Sequence, residues 1–217
     1  MKLLRTLRRL ADMPPSRRRQ WLSLSRDRLL TRTLHAPRLQ RCGHGTIVQK
    51  PLFWTPEFIE LGNRVLIWRG CRIEAIDRHN EQIFEPRITF GDNVSVQQHC
   101  HITSACHLTI GSSVSIMYGV LITDIDHEYH DIKEHVLKQE LSVRPTRIGD
   151  GCFIGAGARI QAGTYLGEHC IVGANAVVRG RFPDHCVIVG VPARIVKRFD
   201  SEAGTWCKTN SEGDFLP

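Results

Sequence analysis

From residue 146 the chain reads TRIGDGCFIGAGARIQAGTYLGEHCIVGANAVVRG, and its apolar residues return every sixth place. Ile148, Ile154, Ile160, Leu166, Val172 and Val178 hold one phase. Two places earlier stand Thr146, Cys152, Ala158, Thr164, Cys170 and Ala176, all small. Gly149, Gly155, Gly167 and Gly173 follow four of the aliphatic positions. The phase also runs upstream, through Leu61, Ile67 and Ile73 and through Phe90, Val96, Ile102 and Leu108. It restarts two residues later at Ile110, Ile116 and Ile122, and it breaks at 76–87 and 124–145.

A helix would return its apolar stripe about every 3.6 residues, so this period excludes one. One large and one small inward residue in six make a short strand and a turn. Three such units close a triangular coil, and coils stack as parallel strands about 4.8 Å apart. The expected fold is mainly β: a parallel β-helix over 42–200, preceded by a helical arm at 1–41. One long excursion loop interrupts it at 124–145, and a tail occupies 201–217.

The period also accounts for most of the 8 cysteines. Cys71, Cys100, Cys106, Cys152, Cys170 and Cys186 each precede an aliphatic phase position by two. They are expected in the small inward slot, where a free thiol acts as a small hydrophobe. CHITSACH at 100–107 is therefore not expected to bind metal: its cysteines point inward, and His101 and His107 point out of different faces. No CxxC pair occurs.

Composition is ordinary, with 41% hydrophobic and 24% charged residues. The charge is not evenly spread. Residues 1–41 carry 12 Lys plus Arg against Asp12 and Asp27, a local +10, and the remainder has 17 basic and 20 acidic residues. The net +7 thus belongs to the arm and does not signal a nucleic-acid binder. Two readings remain for the arm: peripheral contact with an anionic membrane face or a lipid-linked phosphate, or a solvated helix with one packed side. No apolar run suits a membrane span or a secretory signal, and the expected compartment is the cytoplasm, at most the inner face of the membrane.

The IGDGCFIGAGARI coils, the VIVGVPARIVKRF tail at 187–199 and the histidine-bearing break after Ile122 resemble the hexapeptide-repeat acyltransferases. Among them the layout is most similar to sugar O-acetyltransferases of O-antigen, capsule and exopolysaccharide. The resemblance covers about 42–200. It implies a left-handed β-helix, against the usual right-handed crossover, a homotrimer with sites between subunits, and acetyl-CoA as co-substrate with no metal.

The same resemblance places the catalytic histidine in TDIDHEYHD, at His127. A sugar hydroxyl is a poor nucleophile near neutral pH, and an imidazole is suited to take its proton and return it to the leaving thiolate. Asp126 or Asp124 is expected to orient the ring, as a backbone carbonyl also would. His130 is the rival base or a sugar contact. The resemblance further implicates Phe153, Ala156 and Ala174 along the pantetheine arm, and Arg179, Arg194 and Lys197 at the phosphates or adenine. Gly180 stands where several relatives have Lys. On the acceptor side Gln97 replaces an Asn of the galactoside enzymes and Ala105 replaces their acidic ligand, which argues against a simple galactoside. The insertion at 76–87 either touches a larger acceptor or is a solvated loop, and 132–145 is expected to reach a neighbouring subunit.

The expected activity is O-acetyl transfer to a saccharide used in surface polysaccharide synthesis, by direct transfer in a ternary complex; a lipid-linked saccharide is the acceptor the basic arm would suit. A metal site of His127, His130 and Asp124 is the other reading of the loop, and three rival functions stay open: a xenobiotic or small-molecule acetyltransferase, a zinc-dependent β-helix hydratase, whose usual ligand spacing is not found here, and a non-catalytic interaction module.

Overall fold

The computed structural model describes residues 12–210 and 212–216; the part of the expected arm at 1–11 lies outside the described residues. The six-residue period folds as a left-handed β-helix with three walls. The first wall has seven parallel strands, running from Arg41–Cys42 to Arg181–Phe182. The second has six, from Phe53–Trp54 to Val177–Val178. The third has nine, beginning at Ile47–Val48 and ending in Cys186–Gly190, Ala193–Asp200 and Thr205–Lys208, the last two added antiparallel.

Register holds the sequence phase in space. On the nine-strand wall Ile67 pairs with Val96, Val96 with Ile116, Ile116 with Ile154 and Ile154 with Val172. Every one of these side chains is fully buried. Each contributes roughly 1.5–3 kcal/mol over an exposed equivalent, so a continuous column of them stabilises the prism.

The small slots behave as expected, with one exception. Thr146, Cys152, Ala158, Thr164, Cys170 and Ala176 are buried. Inward thiols also find acceptors: Cys71 donates to the Gln97 carbonyl at 3.0 Å, and Cys152 to that of Gly167 at 3.2 Å. Cys106 departs from the expectation and is only half-buried. The two-residue phase slip falls at 104–107, where the backbone bends and its amides turn toward Asp124.

Two polar devices lock coil on coil. At the corner between the first and third walls, Asp92, Asp150 and Asp184 each accept an amide from the preceding coil. The donors are Asn63, Ser112 and Glu168, all at 2.7 Å. At the next corner Gly155 lies so close to the coil above that a Cβ there would sit 2.6 Å from the Ala174 amide nitrogen.

The arm forms helix α1, Pro15–Leu30, with proline opening its first turn. Its seat on the first coil is polar. Asp27, the one buried residue of α1, accepts from Gln49 at 2.7 Å, and the Val48 amide donates to Thr31 Oγ1 at 2.8 Å. Beyond 200 the expected tail is not a bare extension, because Thr205–Lys208 pairs with Ala193–Asp200. No helix among the described residues is long and apolar enough to cross a membrane.

Candidate active site

The chain leaves the six-strand wall at Thr123, and Asp124 pins the exit. Asp124 is fully buried and accepts from Ser104 Oγ at 2.5 Å and from the amides of Ala105 and Cys106 at 2.8 and 3.2 Å. Burial pushes its carboxyl above the usual range, with those three hydrogen bonds opposing. Asp124 is therefore neither an acceptor ligand nor the orienting group of His127 in this chain; its oxygens are spent on the bend at 104–106.

From Asp124 the backbone continues as the strand Ile125–His127, which pairs antiparallel with Leu141–Val143. Residues 124–145 thus form a hairpin arm, not an open loop. The insertion at 76–87 clamps it. That insertion is itself a small hairpin, Arg78–His79 against Gln82–Ile83. Gln82 exchanges two hydrogen bonds with the Leu141 backbone, at 2.7 and 3.2 Å. Asn80 donates to the Lys138 carbonyl at 3.0 Å. The insertion is thus a hairpin fastened to the arm rather than a free loop.

His127 is exposed at the end of its strand. Its ring meets that of His79 edge to face, with centroids 6.0 Å apart. His79 Nε2 lies 3.0 Å from the Gln139 carbonyl, so Nε2 carries the proton. Sequence reasoning missed His79, because nothing in the spacing links 79 to 127. Asp126 also departs from expectation. Its carboxylate is held by Arg179, at 2.6 and 2.7 Å, and by Arg144. The strand turns Asp126 away from its neighbour His127. Arg179 is accordingly engaged on the arm rather than free for a phosphate. His130 is largely exposed and pairs with Glu128 at 2.9 Å.

The remaining expected residues lie elsewhere. Phe153, Ile171, Val187 and Lys197 form one rung across the nine-strand wall, each paired to the next. All face outward, since their sequence neighbours Ile154, Val172 and Ile188 fill the core. The result is an apolar strip of about 4.8 Å per strand that ends in a cation. Ile171 and Val187 were missed; their signal was an apolar residue beside the inward position. Ala156 and Ala174 are exposed at the following corner, and the Ala156 carbonyl accepts the Asn175 amide at 2.9 Å. Gln97 is half-buried two coils earlier, in the column of Gly155 rather than that of Ala156, and Arg194 is exposed on the closing hairpin. Ala105 is buried. Within one chain the six-strand wall separates His127 from this strip. No group of three or more His, Cys, Asp or Glu side chains with metal-binding geometry occurs among the described residues.

Residues 145–180 match the family described as bacterial transferase hexapeptide (six repeats). The Escherichia coli K12 protein named "Putative lipopolysaccharide biosynthesis O-acetyl transferase WbbJ" is 31% identical over 198 residues, covering 87% of this chain and 93% of that one. The galactoside O-acetyltransferase of the same organism is 27% identical over 126 residues, 54% of this chain and 60% of that one. Among solved structures, the N-acyltransferase AntD of Bacillus cereus, in complex with dTDP and 3-hydroxybutyryl-CoA, superposes with a TM-score of 0.64. The identity is 16%, and the match covers 80% of this chain and 90% of that one. The hexapeptide-repeat acetyltransferase VCA0836 of Vibrio cholerae, complexed with acetyl-CoA, gives 0.56 at 19% identity, covering 82% and 86%.

Proposed function

This chain belongs to the hexapeptide-repeat acetyltransferase family, and from that premise we propose that it moves acetyl from acetyl-CoA to a hydroxyl of a saccharide destined for a surface polysaccharide, with His127 as general base. The carrying observation is the placement of His127: an exposed imidazole on a two-stranded arm that a second hairpin clamps in position. Catalytic groups need such rigid support.

In this reading His127 takes the proton of the sugar hydroxyl as its oxygen bonds to the thioester carbonyl carbon. Collapse of the tetrahedral species breaks the C–S bond, and the same proton passes to the thiolate. No covalent enzyme intermediate is needed. His79 and the Asp126 carboxylate hold the arm and do not touch the reacting atoms.

The strip from Phe153 to Lys197 suits the pantetheine arm, with the cation toward the phosphates. Because one wall separates that strip from His127, the complete site uses two copies of the chain, consistent with a homotrimer. WbbJ, by its name, favours a lipopolysaccharide acceptor, and the basic arm suits one that is lipid-linked.

The test is NMR of surface glycan from the native host with the gene deleted, then restored as wild type or as His127→Ala. O-acetyl signals should vanish on deletion, return with wild type and stay absent with the folded variant. Return with His127→Ala would remove His127 as the base. A glycan unchanged by deletion would remove the polysaccharide acceptor.

A further inference from the structure

A second concave site lies at the opposite end of the prism from the closing hairpin, between α1 and the first two coils. This cavity has a volume of about 930 Å³. That is the size range of small-ligand sites and far larger than one inorganic anion needs. Its walls carry Arg28 and Arg32 from the helical segment, Arg64 from the second coil and His44 from the first corner. Leu29 and Ala36 add apolar surface. No carboxylate lines it among the described residues.

The charge there is only partly compensated: Asp92 lies within electrostatic reach of Arg64, and Arg28 and Arg32 have no such partner among the described residues. The guanidinium groups of Arg28 and Arg32 form no hydrogen bond or ion pair among the described residues, whereas that of Arg26 beside them pairs with Asp27. Arg64 donates through Nε to Asn93 at 2.6 Å, which fixes its stem and leaves the other guanidinium nitrogens free. Asp27, the acidic residue nearest in sequence, is turned inward onto Gln49, Ser23 and Arg26 and cannot neutralise the cluster. Unpaired guanidinium groups that converge on a concave wall are built for phosphate oxygens, which they bind through two parallel N–H donors.

We propose that this cavity binds a ligand with a pyrophosphate or phosphodiester group on a larger organic body, the phosphate lying between Arg28, Arg32 and Arg64 and the body against Leu29 and Ala36. The site shares no residue with His127 or the Phe153–Lys197 strip, but Arg28 and Arg32 belong to the basic arm that the proposed function gives to a lipid-linked acceptor, and in that respect it rests on that reading. Its ligand is either a soluble phosphorylated molecule or the head group of a lipid. Trp21 and Leu22, exposed on α1 upstream of the cavity, are placed to meet an apolar chain.

The test uses the full chain with inorganic pyrophosphate as the probe, in titration calorimetry at low and high salt. Wild type should bind. Arg28→Gln with Arg32→Gln should weaken binding by about tenfold per arginine, one charged hydrogen bond each. Arg17→Gln with Arg19→Gln, on the same helix but outside the cavity, should bind as wild type. Arg28 also sits in the last turn of α1, where a cation suits the helix end. Arg64→Gln, off the helix, therefore serves as the second variant and should weaken binding equally while the thermal midpoint holds. No binding by wild type overturns the proposal, as does an equal loss from the cavity and control pairs, which would mean diffuse charge alone. A second arm adds phosphatidylglycerol vesicles. Competition with pyrophosphate that the cavity variants abolish identifies a lipid head group. Pyrophosphate binding untouched by vesicles identifies a soluble ligand.

Discussion

His79 and His127 meet edge to face at an interplanar angle of 74°, although they sit on two different excursions from the β-helix. The contact is held from the His79 side, whose Nε2–H donates to Gln139 on the arm. His127→Ala should reduce acetyl transfer by roughly 10²–10⁴-fold, the range for losing a general base, with an unchanged thermal midpoint because the side chain is exposed. His79→Ala should lower kcat by less and leave KM for acetyl-CoA unaltered. His79→Gln, which retains a donor for the Gln139 carbonyl, should recover part of that loss. Steady-state kinetics on the three variants checks all of this; an equal loss in His79→Gln and His79→Ala would show that the hydrogen bond is irrelevant.

Asp126 ties the arm to two arginines from different parts of the chain, Arg144 and Arg179. The groups are 30–50% exposed, so solvent screening holds the stabilisation to about 1 kcal/mol for the network. Asp126→Ala should lower the thermal midpoint by only about 2–4 °C. It should also lower kcat, because the strand that carries His127, the proposed base, loses its anchor. Arg179→Ala should mimic it, with KM for acetyl-CoA little changed. A selective rise in that KM would instead place Arg179 on the cofactor phosphates.

The β-helix was legible because the prism repeats one rule: a residue's phase fixes whether it points in. Ile67, Val96, Ile116 and Ile154 stack in register for that reason. His127 became a candidate only through its resemblance to the family motif. The fate of its neighbours was not. Whether Asp124 points at a ring or into a corner depends on Ser104, Ala105 and Cys106, which a phase slip brings to it. Whether 76–87 is a loop or a clamp depends on Gln82 meeting Leu141, a pairing between two stretches that carry no repeat. Cys106 was misplaced for the same cause, because the slip turns its slot outward.

Asp124 gathers three donors at the root of the arm. Asp124→Ala would leave them buried without an acceptor, at about 1–3 kcal/mol each before relaxation. A net loss of about 3 kcal/mol is expected, a fall of roughly 6–12 °C in the thermal midpoint. Asp124→Asn keeps an acceptor for the Ala105 amide but sets an N–H against Ser104 or Cys106. It should lose less, and a thermal scan of both variants distinguishes them. An unaffected Asp124→Ala would mean that the corner does not depend on this carboxylate.

The pH dependence of stability should be carried in part by His35. Its ring packs edge to face on Trp54 with centroids 4.9 Å apart, and Nδ1 is buried without a partner among the described residues. Burial, and then the Arg38 charge, push its pKa below the ordinary 6.5. Burial, then Arg72, does the same to His101, with Glu74 opposing. The folded state therefore prefers both rings neutral. Their contribution is fully present above about pH 6.5 and is lost as pH falls through the depressed values, since the unfolded chain takes up protons first. Asp124 contributes with the opposite sign: its raised folded pKa makes its burial less costly as pH falls. Asp27 is lost later, because burial raises its pKa but hydrogen bonds from Arg26, Gln49 and Ser23 outweigh that and leave it below 3.8. Comparing wild type with His35→Phe isolates the histidine, because both carboxylates are common to the two proteins. The variant keeps the contact with Trp54 and has no proton to gain. Measured from about pH 7.5 down to about pH 5, the wild-type thermal midpoint should fall relative to that of the variant. Parallel curves over that window would show that His35 is not titrating against the fold.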